Sequence, residues 1–162
     1  MRIFKKALCI MFSLLIIVSL CCACGETNAA LSPEELASHT KSLLENDIEW
    51  TALAPEQVMS YFGFDGTVAE KSAVYIDNSE EHIDTVAFFD FKNTEDMNNA
   101  IQSINTTLAK TVANYNQTIP YEAQKIQKRL LYQNGNSLCL IISALTENVT
   151  DFLSEKGFSP VA

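Results

Sequence analysis

The polar and apolar positions of this chain change period several times, and each change predicts an element. Ser32-Pro33-Glu34-Glu35 predicts a helix start, with a capping serine, proline in the first turn and a glutamate three residues after the cap. Leu36, Thr40, Leu43, Leu44 and Ile48 then share a face. Ala54-Pro55-Glu56-Gln57 opens a shorter helix carrying Val58, Met59 and Phe62, and Gly63 stands where a left-handed stop is wanted. From Ser72 the period falls to two. Ser72–Asp77 and Ile83–Phe91 predict two strands, joined by the polar loop Asn78-Ser79-Glu80-Glu81. Asn93 caps a long helix in which Met97, Ile101, Ile104, Leu108, Thr111 and Tyr115 recur every three or four residues, with Pro120 beyond its end. A second hairpin is expected over Gln127–Gln133 and Asn136–Ala144, turning at Asn134-Gly135. A last helix from about Thr146 uses Val149, Phe152 and Leu153 and stops at Lys156-Gly157.

The expected order is two N-terminal helices followed by ββαββα. This is one α+β domain over residues 32–162, a four-stranded antiparallel sheet of two hairpins with helices packed on it. Ile83, Thr85, Ala87, Phe89 and Phe91 share one side of their strand, and Val86 and Phe88 the other. Leu138, Leu140 and Ile142 are likewise opposed by Cys139 and Ile141. Both faces are therefore partly apolar. Two readings follow. In one, the N-terminal helices cover one face and the later helices the other. In the other, part of a face stays open and Val86, Phe88, Cys139 and Ile141 form a partner-binding surface, since contiguous exposed apolar patches mark interaction sites.

The first residues are patterned differently. Arg2, Lys5 and Lys6 precede an apolar run from Ala7 to Ala23 whose only polar members are Ser13 and Ser19. As a helix this run would span roughly 25 Å, short of a bilayer core of roughly 30 Å. A cleaved secretory signal fits better than an uncleaved anchor. The run ends Leu20-Cys21-Cys22-Ala23-Cys24-Gly25, a small residue directly before a cysteine, as in a bacterial lipobox. Residues 1–23 are expected to be a lipoprotein signal peptide, Cys24 the lipidated residue and 24–31 a tether. Cys21 stands where a lipobox usually has leucine. Cys21 and Cys22 remain competing thiols, although each follows a poorer residue than Ala23.

Composition sharpens this picture. The 162 residues hold 20 Asp and Glu against 11 Lys and Arg, a net charge of −9, and 48% are hydrophobic. The acidic balance excludes the basic footprint of a nucleic-acid binder, and the apolar content excludes a disordered chain. Cleavage would remove 23 residues, three of them basic. It would leave 139 residues with 8 basic against 20 acidic, a net −12. An anionic lipid surface would repel such a body, so the anchor would be the lipid alone. Besides Cys24, Cys139 would be the only cysteine left, too few for a disulfide framework.

The order of these motifs resembles the small lipoproteins of Firmicutes catalogued as domain of unknown function 4358. The resemblance is carried by Cys24, Tyr61-Phe62-Gly63-Phe64-Asp65, the run from Val86 to Lys92, Tyr115 with Pro120, and Gly135 leading into Leu140-Ile141-Ile142-Ser143. It covers about residues 32–145. It implies a bacterial, surface-tethered protein and brings no catalytic residues with it.

Motifs for chemistry are sparse. His39 and His82 lie in no His-Glu-x-x-His pattern. His82 and Asp84 lack a serine in nucleophile-elbow context. Asp84 and Asp90 are six strand residues, about 20 Å, apart, too far for a glycosidase pair. Asp77, Ser79 and Glu81 alternate without the glycine of an EF-hand loop. No catalytic residue, metal ligand or cofactor is expected. With 139 mature residues there is no room for the two lobes of a solute-binding protein. The expected function is a non-enzymatic binding or interaction module on the outer face of the bacterial cytoplasmic membrane. Its expected partners are the membrane, through Cys24, and an envelope protein or wall component, not nucleic acid. The alternative is an enzyme with an unrecognised site acting on an envelope substrate.

Overall fold

The structure is a computed structural model that describes residues 31–44, 47–79 and 82–161. The expected signal peptide, Cys21, Cys22, Cys24 and all but the last residue of the expected tether lie outside the described residues. Among those described, no helix is long and apolar enough to cross a membrane.

Helix α1, Pro33–Leu43, begins as its sequence requires. The Ser32 hydroxyl accepts the Glu35 N–H, and the Glu35 carboxylate accepts the Ser32 N–H at 2.8 Å. These bonds hold the exposed Glu35 carboxyl below its usual value. Strand β1, Trp50–Ala52, leads to a 3-10 turn at Pro55–Gln57 and helix α2, Val58–Phe62. Gly63 ends α2 with φ 77°, the left-handed conformation expected of it. Strands β2, Ala69–Asp77, and β3, Thr85–Phe91, pair antiparallel. Helix α3, Thr94–Thr118, follows the Asn93 cap.

Beyond it the structure departs from the expected order. Pro120 does not merely end α3; it opens a further helix, α4, Pro120–Gln127, in the first-turn position where its missing N–H costs nothing. Strands β4, Leu130–Asn134, and β5, Ser137–Ile142, then form the hairpin at Gly135. Helix α5, Glu147–Glu155, and strand β6, Ser159–Pro160, complete the chain.

The sheet has six strands, not four. Its order is β1-β2-β3-β5-β4-β6, and every pairing is antiparallel. The two hairpins meet in the middle, where β3 pairs with β5. The added strands are edges of three and two residues. The division of the helices also differs from expectation. Phe62, Ile104, Leu108 and Ile126, from α2, α3 and α4, pack over Ala87, Phe89, Leu138 and Leu140. Leu36 and Ala37 of α1, Val149 and Leu153 of α5, and Phe158 pack over the opposite face. One N-terminal helix thus goes to each side.

This closes the face on which a binding surface was expected. The register sets Val86 opposite Ile141 and Phe88 opposite Cys139, so the four residues do form one patch. None of them is more than 1% exposed. Phe88 meets Phe158 edge-on with ring centroids 5.9 Å apart, and Cys139, its thiol pushed well up by burial, is a core residue. The patch is apolar because it is interior. Strands covered on both faces carry continuous apolar runs instead of a clean alternation. Phe88→Ala is therefore expected to cost about 3–5 kcal/mol in urea unfolding. A loss below about 1 kcal/mol would show that this face is not closed.

Candidate functional site

The sequence candidates are dispersed in the fold. His39 is exposed on α1 and stacks on Phe152, ring centroids 4.4 Å apart. Asp90 accepts a hydrogen bond from the Ser137 hydroxyl near the far end of β3. Asp77 accepts the Ser79 N–H at 2.8 Å, so this carboxylate braces the loop; Glu81 lies outside the described residues.

Asp84 and His82, by contrast, are drawn into a cluster that spacing did not reveal. Helix α4 presents Glu122 and Lys125, one turn apart, to the segment entering β3. Lys125 Nζ donates to Asp84 Oδ2 at 2.7 Å and to Glu122 Oε1 at 3.0 Å. Glu122 Oε2 accepts the Ile83 N–H at 3.1 Å, and His82 Nδ1 lies 3.2 Å from Glu122 Oε1. Glu122 is 1% exposed, Asp84 4% and Lys125 8%. Burial alone would lower the Lys125 ammonium. Hydrogen bonds and charge from Asp84 and Glu122 outweigh that cost and hold it above its ordinary 10.5. Two carboxylates and one ammonium leave a net −1 inside the protein, beside the half-exposed imidazole of His82. When Nδ1 carries the imidazole proton, Glu122 receives it as a charge-assisted hydrogen bond and Nε2 is left as an acceptor.

The cluster borders a groove of about 530 Å³ whose lining includes His82, Ile83 and Ile126. Ile83, held through its N–H, and Ile126, one residue after Lys125, line its floor with Leu108 and Ile142. Helix α2 supplies Ser60 and Tyr61 on one side, and α3 supplies Thr107, Thr111 and Tyr115 on the other. Asp77, Asn78, Ser79 and His82 also belong to the lining among the described residues. The volume lies within the roughly 300–1,000 Å³ range of small-molecule sites. Apolar depth with a polar rim can hold a ligand by shape and orient it by hydrogen bonds.

The family profile described as Domain of unknown function (DUF4358) matches residues 45–143, more than half of the chain, and the chain belongs to that family. No curated protein matches the chain, and no solved structure does. The matched span runs from just before β1 to just past β5. It contains His82, Asp84, Glu122, Lys125 and the whole groove lining. Helices α1 and α5, which close the opposite face, lie outside it.

The sign of the Lys125 effect sets a pH test. A cation whose folded value is raised adds stability that is complete below the unfolded value of 10.5 and is lost as pH climbs through the folded one. Lys125→Met removes the ammonium shared by two buried carboxylates, which should cost about 3–5 kcal/mol at pH 7. Urea midpoints of the two proteins should converge as pH rises above 10.5. Parallel pH profiles would refute the role given to Lys125.

Proposed function

We propose that the chain is a lipid-anchored domain held outside the cytoplasmic membrane, and that it acts by binding a component of the cell envelope in the groove between α2 and α3. The groove carries this reading. Its lining joins apolar side chains with hydroxyl groups, and the Asp84–Lys125–Glu122 cluster holds Ile83 beside it through the Ile83 N–H. Such preorganisation lowers the ordering cost of binding. The anchor half rests on the Ala23-Cys24 junction after an apolar run, with basic residues at the start of the chain.

The two halves have separate tests. Cys24→Ser should abolish incorporation of radioactive palmitate and move the protein out of the membrane fraction. Undiminished labelling would refute lipidation at Cys24. A photo-crosslinking amino acid at Thr111, inside the groove, should give adducts in intact cells that are absent when it replaces the exposed Ser154 on α5. Identical adducts from both positions would remove the groove from the reading.

A further inference from the structure

We propose that the groove's ligand is an uncharged oligosaccharide, an inference that rests on the groove being the binding site. Charge is the first argument. Among the described residues, the titratable side chains lining it near its end are the carboxylate of Asp77 and the imidazole of His82, with no lysine or arginine. An anion would find no counter-charge there and would be repelled by a chain of net charge −9. A cation would find, among the described residues of the lining, the Asp77 carboxylate, which already accepts the Ser79 N–H. A neutral ligand loses nothing on either count.

Among neutral ligands, the lining chemistry selects a sugar. The lining is rich in hydroxyl-bearing residues, among them Ser60, Tyr61, Thr111 and Tyr115. Thr111 donates its hydroxyl to the Thr107 carbonyl and so presents lone pairs to a ligand. The Thr107 hydroxyl packs against Gly63, whereas among the described residues no hydrogen bond within the chain takes up the hydroxyls of Ser60 or Tyr115, which can donate to or accept from a ligand. A fatty chain would leave these polar groups desolvated and unpaired, at a cost. A pyranose ring has the complementary distribution, with hydroxyls around its edge and apolar C–H groups on its faces. Those faces can lie on Leu108, Ile126 and Ile142 in the floor or against Tyr61, which is 44% exposed at the rim. Tyrosine suits such a contact because it joins an apolar ring to a polar tip.

The test uses the lipid-bearing protein in detergent, with amide NMR signals of Thr107 and Thr111 and calorimetry as readouts. Its probes are chitotetraose, cellotetraose and tetra-alanine. At least one tetrasaccharide should bind saturably and move the groove amides. Preference for chitotetraose would assign the groove to N-acetylated sugars, and preference for cellotetraose to plain glucans. Ser60→Trp, at an exposed position on the groove wall, should weaken binding by roughly tenfold or more, equivalent to about 1.4 kcal/mol, while Ser154→Trp should not. The wild-type spectra decide the matter even if Ser60→Trp folds poorly. If neither sugar moves the groove amides, the oligosaccharide assignment is overturned. Movement by tetra-alanine alone, or persistence of the Thr111 crosslink, would then leave the groove standing as a site for another ligand.

Discussion

The pairing of β3 with β5 is the constraint on which the rest of the domain depends. Each strand is apolar on both sides, and together they set Val86 beside Ile141 and Phe89 beside Leu138 on opposite faces of one sheet. Neither face can meet water without a large hydrophobic loss, of order 1.5–3 kcal/mol for each large side chain. Helices must therefore cover both faces. The connections allow this because α2 and α3 reach one side while the two ends of the domain, α1 and α5, converge on the other. The family match covers the first layer and strands β1–β5 and stops short of β6 and the second layer. The groove follows the same division, since it lies wholly on the α2–α3 side.

A second constraint is electrostatic. Buried charges seldom stabilise a fold over well-packed apolar residues, but once present they cannot be broken singly. Asp84, Glu122 and Lys125 sit where α4 must dock on the segment leading into β3. Their geometry admits one arrangement, with Lys125 between two carboxylates and Glu122 also taking the Ile83 N–H. We read the trio as a register device. It places Ile83 and Ile126 at fixed positions in the groove floor, and an apolar contact, which is non-directional, would do so less sharply.

Sequence reasoning reached the central elements because their signals are periodic and long. The alternation in Ile83–Phe91 and the repeat from Met97 to Tyr115 predict a strand and a helix, and the structure has both, as Thr85–Phe91 and Thr94–Thr118. What escaped was short or charged. Trp50–Ala52 and Ser159–Pro160 are too brief for a period to register. Helix α4 buries Glu122 and Lys125 with Ala123 and Ile126, so it lacks the apolar stripe that announces a helix. Its one local signal, Pro120 ahead of Glu122, also fits a stop after α3. With α4 unseen, the partners of His82 and Asp84 were unseen too. The open-face reading failed for a related reason: periodicity tells which residues share a face, but not what covers it.

The groove is where the packing of α3 runs out. A helix of 25 residues is about 37 Å long, whereas the seven residues of β3 extend about 23 Å. The fully buried positions of α3 end at Leu108, and Thr111, Val112 and Tyr115 beyond it are only half-buried. Apolar side chains there would have drawn α2 and the end of β2 inward and closed the gap. Thr111 and Tyr115 offer less apolar surface there, although Tyr115 and Val112 still pack partly against the core. The cleft thus coincides with a change in residue chemistry along a continuous helix. The same residues give it hydrogen-bonding capacity, so replacing Thr111 and Tyr115 with leucine would exchange polar lining for apolar surface.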